Sequence, residues 1–146
     1  MTGTVPADLG IRGIGVDVVS IARFSRSASQ AGFLKHILAD EEPRRSLADS
    51  AARFAVKEAV LKCLGTGAWQ DGTDFPDVVV ELSQGPGAGY RRVDVRLQGA
   101  AAAIAGRVAV HASVSRSGDR LLATAVLEAL VYQSPSVVFS STAQTL

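Results

Sequence analysis

Excess charge of either sign, cysteine and long apolar runs are all scarce in this chain of 146 residues. Its 15 basic side chains stand against 14 acidic ones, a formal net charge of +1 with no basic block. That excludes the strongly positive face of a dedicated nucleic-acid binder, so partners must be recognised locally. Cys63 is the only cysteine. An intrachain disulfide is therefore excluded, a reducing, cytoplasmic setting fits best, and Cys63 itself reads as a small core residue. Charges such as Arg107 and Arg120 break the most apolar stretches well before about 18 residues, so no membrane span is expected. Met1 to Gly10 lacks the basic start and apolar middle of a signal peptide. What is present is 47% apolar residues, enough for one core, since a chain of this length buries roughly two thirds of its unfolded surface.

Neither an internal repeat nor a dividing linker interrupts the chain. Residues 1–10 are expected to be a flexible arm, 11–130 the domain, and 131–146 an uncharged Ser/Thr-rich tail in which only Val137 to Phe139 could dock. Ile11 to Ile21 reads as a strand, with Ile14, Val16 and Val18 alternating against Gly15, Asp17 and Val19. Phe33 to Leu38 predicts a short helical turn. Asp40 then offers an N-cap, with Pro43 in the first turn of a main helix running to about Leu64, where Gly65 takes the C′ position. Val78 to Leu82 and Val93 to Leu97 predict a hairpin around Gly85 to Gly87, and Gly99 to Arg107 a short Ala-rich helix. Val108 to Ser115 and Leu121 to Leu127 predict a second hairpin around Arg116-Ser117-Gly118-Asp119. The class is α+β, with antiparallel strands packed around a long central helix; no dinucleotide fingerprint suggests a parallel sheet.

The main helix breaks its own pattern. With Leu47 at zero, steps of about 100° put Ala51, Phe54, Ala55 and Leu61 on one apolar stripe, yet Glu58 and Lys62 fall in the middle of it. The opposite side is apolar too, leaving a narrow polar edge at Asp49, Ser50, Arg53 and Lys57. Glu58 and Lys62 have two readings. They form an exposed i,i+4 pair adding about 0.3 kcal/mol, or the stripe is covered and Glu58 needs a cation, a metal or a raised pKa. Asp17 likewise either bonds a local turn at a strand end or supplies a second carboxylate, since Asp is disfavoured inside strands. Two carboxylates fit Mg²⁺, which keeps waters and takes further oxygens from a substrate phosphate. Arg53, Lys57 and Lys62 add cations, and Gly65-Thr66-Gly67 offers backbone N–H groups and a hydroxyl, or is simply a C-cap and turn. It is not a P-loop, because no Lys follows the second glycine.

Together these residues resemble the holo-acyl-carrier-protein synthase type of 4′-phosphopantetheinyl transferase. The resemblance covers roughly Gly13 to Glu128. It is carried by Gly13-Ile14-Gly15-Val16-Asp17, by Arg53-Phe54-Ala55-Val56-Lys57-Glu58-Ala59, by Lys62, and by Leu64-Gly65-Thr66-Gly67. It implies transfer of the phosphopantetheine arm of coenzyme A to a serine of an apo acyl carrier protein, with Mg²⁺ as cofactor and release of 3′,5′-ADP. By motif position Asp17 and Glu58 would be the metal ligands and, with Lys62, the catalytic set. Lys62, Arg53, Gly65, Thr66, Gly67, Ser115 and Arg116 would meet coenzyme A, while Arg23 and Arg26 would face an acidic carrier helix. The resemblance also implies a homotrimer with active sites between subunits. The departure is at Ser113-Val114-Ser115-Arg116-Ser117, where the family usually has His and this chain has Arg116. A guanidinium stays protonated and cannot act as a base near neutral pH, but it can bind phosphate. His111 matches a second family histidine and is expected to be structural. Two other classes stay open: a weak homologue that only binds coenzyme A or a carrier, and a different Mg²⁺ enzyme acting on a nucleotide diphosphate.

Overall fold

The computed structural model describes residues 10–65, 70–85 and 91–130. Strand β1 (Ile11–Ser20) is followed by α1 (Ile21–Ala28), α2 (Phe33–Ile37) and the long α3 (Leu47–Cys63). Next come β2 (Val78–Gln84), β3 (Arg91–Leu97), α4 (Gly99–Ala105), β4 (Val108–Ser117) and β5 (Arg120–Ala129). β1, β5 and β4 form an antiparallel sheet in that order, and β2 pairs with β3 in a second. The α+β class, the strand at the start and both hairpins are as the alternation predicts. All of the expected arm but Gly10, most of the Gly85 to Gly87 turn and the tail with Val137 to Phe139 lie outside the described residues.

α3 is wrapped by both sheets. Val19, Leu121, Ala123, Ala125 and Leu127 cover it from one side, and Val78, Val80 and Leu82 from the other. Cys63 joins this core, its thiol donating to the Ala125 carbonyl at 3.1 Å, and burial pushes that thiol's pKa up. Four phenylalanines among the described residues are gathered in one place: Phe24 lies 5.5 Å from Phe54 and 5.7 Å from Phe33, and Phe54 lies 5.4 Å from Phe75, centroid to centroid. Spacings of this kind add to simple area burial.

Three expectations need correction. α3 starts at Leu47 with Ser46 as N-cap, its hydroxyl accepting from Asp49 N–H at 3.0 Å, rather than at Asp40. The reason is Glu42, whose carboxylate is drawn inward to the Ala39 and Val80 N–H groups and to Lys57, so the chain after Pro43 has to extend before helix can begin. α1 was not expected, although Ser20 caps it and Ile21, Phe24 and Ala28 have helical spacing. The wheel is also inverted. Arg53 and Lys57, read as a polar edge, are 2% and 0% exposed, whereas Lys62, read inside the apolar stripe, is open to solvent.

Candidate active site

Two glycines bring β1 onto α3. A Cβ at Gly13 would stand 2.1 Å from the Cys63 carbonyl oxygen, and one at Gly15 would stand 1.9 Å from that of Ala59. Only a strand without side chains here can lie against the helix backbone. The alternation that turns Gly13, Gly15 and Val19 toward α3 turns Asp17 the same way, and leaves Ile14, Val16 and Val18 exposed on the other face.

Asp17 therefore meets the two charged residues of the helix stripe. Lys62 Nζ donates to Asp17 Oδ1 at 2.9 Å and to the Val16 carbonyl at 2.9 Å. The Lys62 side chain is 49% exposed, so this lysine is held at its tip while a face stays open. Glu58 is half-buried and has no hydrogen-bond partner among the described residues. Burial, then the nearby Asp17 charge, push its carboxyl above the usual carboxylate range, against the opposing pull of Lys62. A carboxylate so placed favours a proton or a cation. No cluster of three or more His, Cys, Asp or Glu exists among the described residues, so a bound metal would need further oxygens from ligand or water.

Asp17 and Glu58 line a cavity of about 510 Å³ together with Arg23, Phe24, Phe54 and Arg120. Arg23, on α1, is part of this lining, while Arg26 is exposed outside it. Arg120 went unread in the sequence. Its signal is only that β5 begins where β1 ends, with Arg120 paired to Ser20.

The other expected ligand contacts lie elsewhere on the chain. Arg53 sits about 140° around α3 from Glu58, beside a cavity of about 470 Å³ that Arg45 also lines. Its Nε–H donates to the Val80 carbonyl at 3.1 Å, and its Nη1 is buried with no partner among the described residues. Lys57, counted with it among the cations, is sealed against Glu42 at 2.7 Å. Ser115 pairs with Leu122 on the exposed face of the sheet and Arg116 with buried Leu121 on the helix side, so the two point opposite ways. Arg116 Nε–H donates to the Gly118 carbonyl at 3.0 Å and borders a third cavity, of about 570 Å³, with Asp49 and Arg91. Gly65 has φ 71° after α3, as a C′ glycine should. Thr66 and Gly67 lie outside the described residues. His111 pairs with Glu128 at 2.8 Å on the exposed sheet face, away from Asp17.

Comparison with known proteins shows the family. The family model described as the 4′-phosphopantetheinyl transferase superfamily matches residues 13–125. A holo-[acyl-carrier-protein] synthase from Clavibacter sepedonicus is 43% identical over 122 residues, covering 79% of this chain and 92% of that protein. The crystal structure of a holo-[acyl-carrier-protein] synthase from Neisseria meningitidis matches with a TM-score of 0.66 at 28% identity, covering 81% of this chain and 98% of the other. The Bacillus anthracis counterpart, solved in complex with CoA (3′,5′-ADP), matches with a TM-score of 0.64 at 26% identity, covering 83% and 99%. With the family model matched over residues 13–125 and a relative 43% identical over 79% of this chain, this chain belongs to the 4′-phosphopantetheinyl transferase superfamily, among its holo-acyl-carrier-protein synthases.

Proposed function

We propose that the protein transfers the 4′-phosphopantetheine arm of coenzyme A to a serine of an apo acyl carrier protein, releasing 3′,5′-ADP. The observation that carries this reading is that Asp17 and Glu58 line one open cavity while Lys62 bonds Asp17, with Glu58 short of a hydrogen-bond partner among the described residues. Two carboxylates of which one lacks a hydrogen bond are a hard-oxygen donor set, and this fits Mg²⁺ with phosphate and water in its remaining positions. Asp17 and Glu58 would hold the ion, and it would supply neutralising charge for the pyrophosphate.

The chain's own residues do the rest. Lys62, held by Asp17 and the Val16 carbonyl, presents its ammonium where the pyrophosphate lies, opposing charge that builds on the leaving 3′,5′-ADP. The carrier serine Oγ attacks the phosphorus next to the pantetheine. A new P–O bond forms there, the bond to 3′,5′-ADP breaks, and Glu58 takes the serine proton directly or through a water. Arg23, with Arg26 further along α1, meets the acidic helix of the carrier.

Coenzyme A contacts at Arg53, Gly65, Thr66, Gly67, Ser115 and Arg116 extend this reading. One chain sets Arg53 and Arg116 apart from Lys62, and that separation supports a homotrimer in which neighbouring subunits complete each site. Ile14, Val16, Val18 and Leu122 supply an apolar face for such contact, with exposures of 69%, 47%, 56% and 43%. Arg116 would meet a phosphate from the position to which the family resemblance assigns a His.

Intact-mass measurement of an apo carrier incubated with this protein, coenzyme A and Mg²⁺ tests the proposal. A gain of one phosphopantetheine is expected. Coenzyme A binding without any gain across several carriers would leave a binding module instead. Glu58→Gln should lower turnover at least about 100-fold, some 2.7 kcal/mol of transition-state stabilisation, with the fold intact.

A further inference from the structure

The tip of the β4–β5 hairpin is tied to the start of α1. Gly118, at φ 56°, and Asp119 form a two-residue turn between the paired Ser117 and Arg120. Ser20 Oγ–H donates to Asp119 Oδ2 at 2.6 Å, and Ala22 N–H donates to Oδ1 at 2.9 Å. Ile21 N–H donates to the Asp119 carbonyl at 2.8 Å. The same Ser20 hydroxyl accepts from Arg23 N–H at 3.2 Å as the N-cap of the helix. The bonds from Ser20 and Ala22 hold the Asp119 carboxyl below the usual carboxylate range.

α1 depends on this anchor. It has only 8 residues, buries one side chain, Phe24, and has no acidic residue of its own in the first turn. A helix so short is not stable alone, and its direction is set by what holds its ends. It carries Arg23 to the rim of the cavity that contains Asp17 and Glu58, and Arg120, next to Asp119, lines that cavity as well.

We infer that Asp119 is a positioning residue for carrier recognition: by fixing the first turn of α1 it holds Arg23 over the cavity, so that an acidic partner docks with its serine against Glu58. The inference rests on the carrier-modifying function proposed above and names a residue through which that recognition is set. Of the coenzyme A contacts proposed above, Lys62, Arg53 and Gly65 lie on α3 or at its end, and Arg116, nearest to this turn, bonds the Gly118 backbone carbonyl and not the Asp119 side chain.

Steady-state kinetics on the full chain test this, with apo carrier and coenzyme A varied separately. Asp119→Ala should raise the KM for the carrier about fivefold, the scale of a lost helix cap, and leave the KM for coenzyme A within about twofold. Asp119→Asn keeps an acceptor for Ala22 N–H and should recover most of the loss. Ser20→Ala breaks the same link from the other side and should give the same split, which keeps the test open if Asp119→Ala folds poorly. In an Arg23→Ala background the Asp119→Ala change should add less than about twofold, since one acts through the other. Equal rises in both KM values, additive effects in the double variant, or no carrier effect from Arg23→Ala alone would each overturn the inference. A wild-type protein that modifies no carrier overturns the functional reading and this inference with it. That outcome differs from an active wild type whose Asp119→Ala variant behaves normally, which removes the inference alone.

Discussion

Helix α3 carries two lysine–carboxylate pairs that serve opposite ends. Lys57 meets Glu42 at 2.7 Å with side chains 0% and 1% exposed, while Lys62 meets Asp17 at 2.9 Å with 49% and 16% exposed. The first pair is saturated. Lys57 Nζ also donates to the Phe75 and Val78 carbonyls at 3.0 and 2.6 Å, and Glu42 accepts from the Ala39 and Val80 N–H groups at 2.7 Å each. No capacity is left for a ligand, and the pair clamps α3 to β2 and to the turn before it. The second pair is unsaturated, because Glu58 beside it has no hydrogen-bond partner among the described residues and a raised pKa. Saturation, rather than the presence of charge, separates a structural ion pair from a reactive one.

The comparison breaks most severely at the sealed pair. Glu42→Ala leaves the Lys57 ammonium buried and uncompensated, and should cost about 3–5 kcal/mol, a large part of a domain's whole stability. Urea denaturation will read this as a lower midpoint at unchanged slope. Apolar replacement of both partners should recover only part of it, because Ala39 and Val80 N–H would still lack their acceptor.

Next comes the contact that makes the open pair. Gly15→Ala sets a Cβ 1.9 Å from the Ala59 carbonyl oxygen, where only backbone can give way. A cost of about 3 kcal/mol is expected from overpacking. The same shift should part Asp17 from Lys62, so carrier modification should fall further than the loss of folded protein explains.

The smallest effect sharpens the contrast. Because the folded pKa of Glu58 is raised, the folded state holds this proton more tightly than the unfolded chain does. The carboxyl then adds no penalty below its unfolded value of about 4.3, and the penalty grows as pH rises through the folded value. Glu58→Gln should therefore slightly stabilise the metal-free protein at pH 7.5, and match it near pH 4. Thermal melts at the two pH values measure this, and a destabilised variant at pH 7.5 would show Glu58 to be saturated after all.

Much of this molecule was legible from its residues. The alternation around Asp17, the hairpin turns and the C′ glycine at Gly65 are local patterns with local causes, and the strands and the end of α3 lie where they indicate. The anomaly of Glu58 and Lys62 within an apolar stripe singled out the helix residues that meet Asp17 in the candidate site. Its depth was misread, because a helix wrapped on both sides has no polar face to orient the wheel. Arg53 and Lys57 could go inward only because Glu42 and the carbonyls of Val78 and Val80 wait there, from segments well away in the sequence. Arg120 and Asp119 gave no signal for a related reason, since their importance comes from a hairpin tip meeting the start of a distant helix.

By itself the sequence determined the element types, the α+β class and the identity of the family, because periodicity, turn residues and motif spacing act over short stretches of chain. Tertiary structure alone decided which charges are sealed and which are open. Burial and hydrogen-bond saturation depend on what packs from elsewhere, and the near-zero net charge that excluded so much at the outset says nothing about where each of its 15 cations and 14 anions will lie.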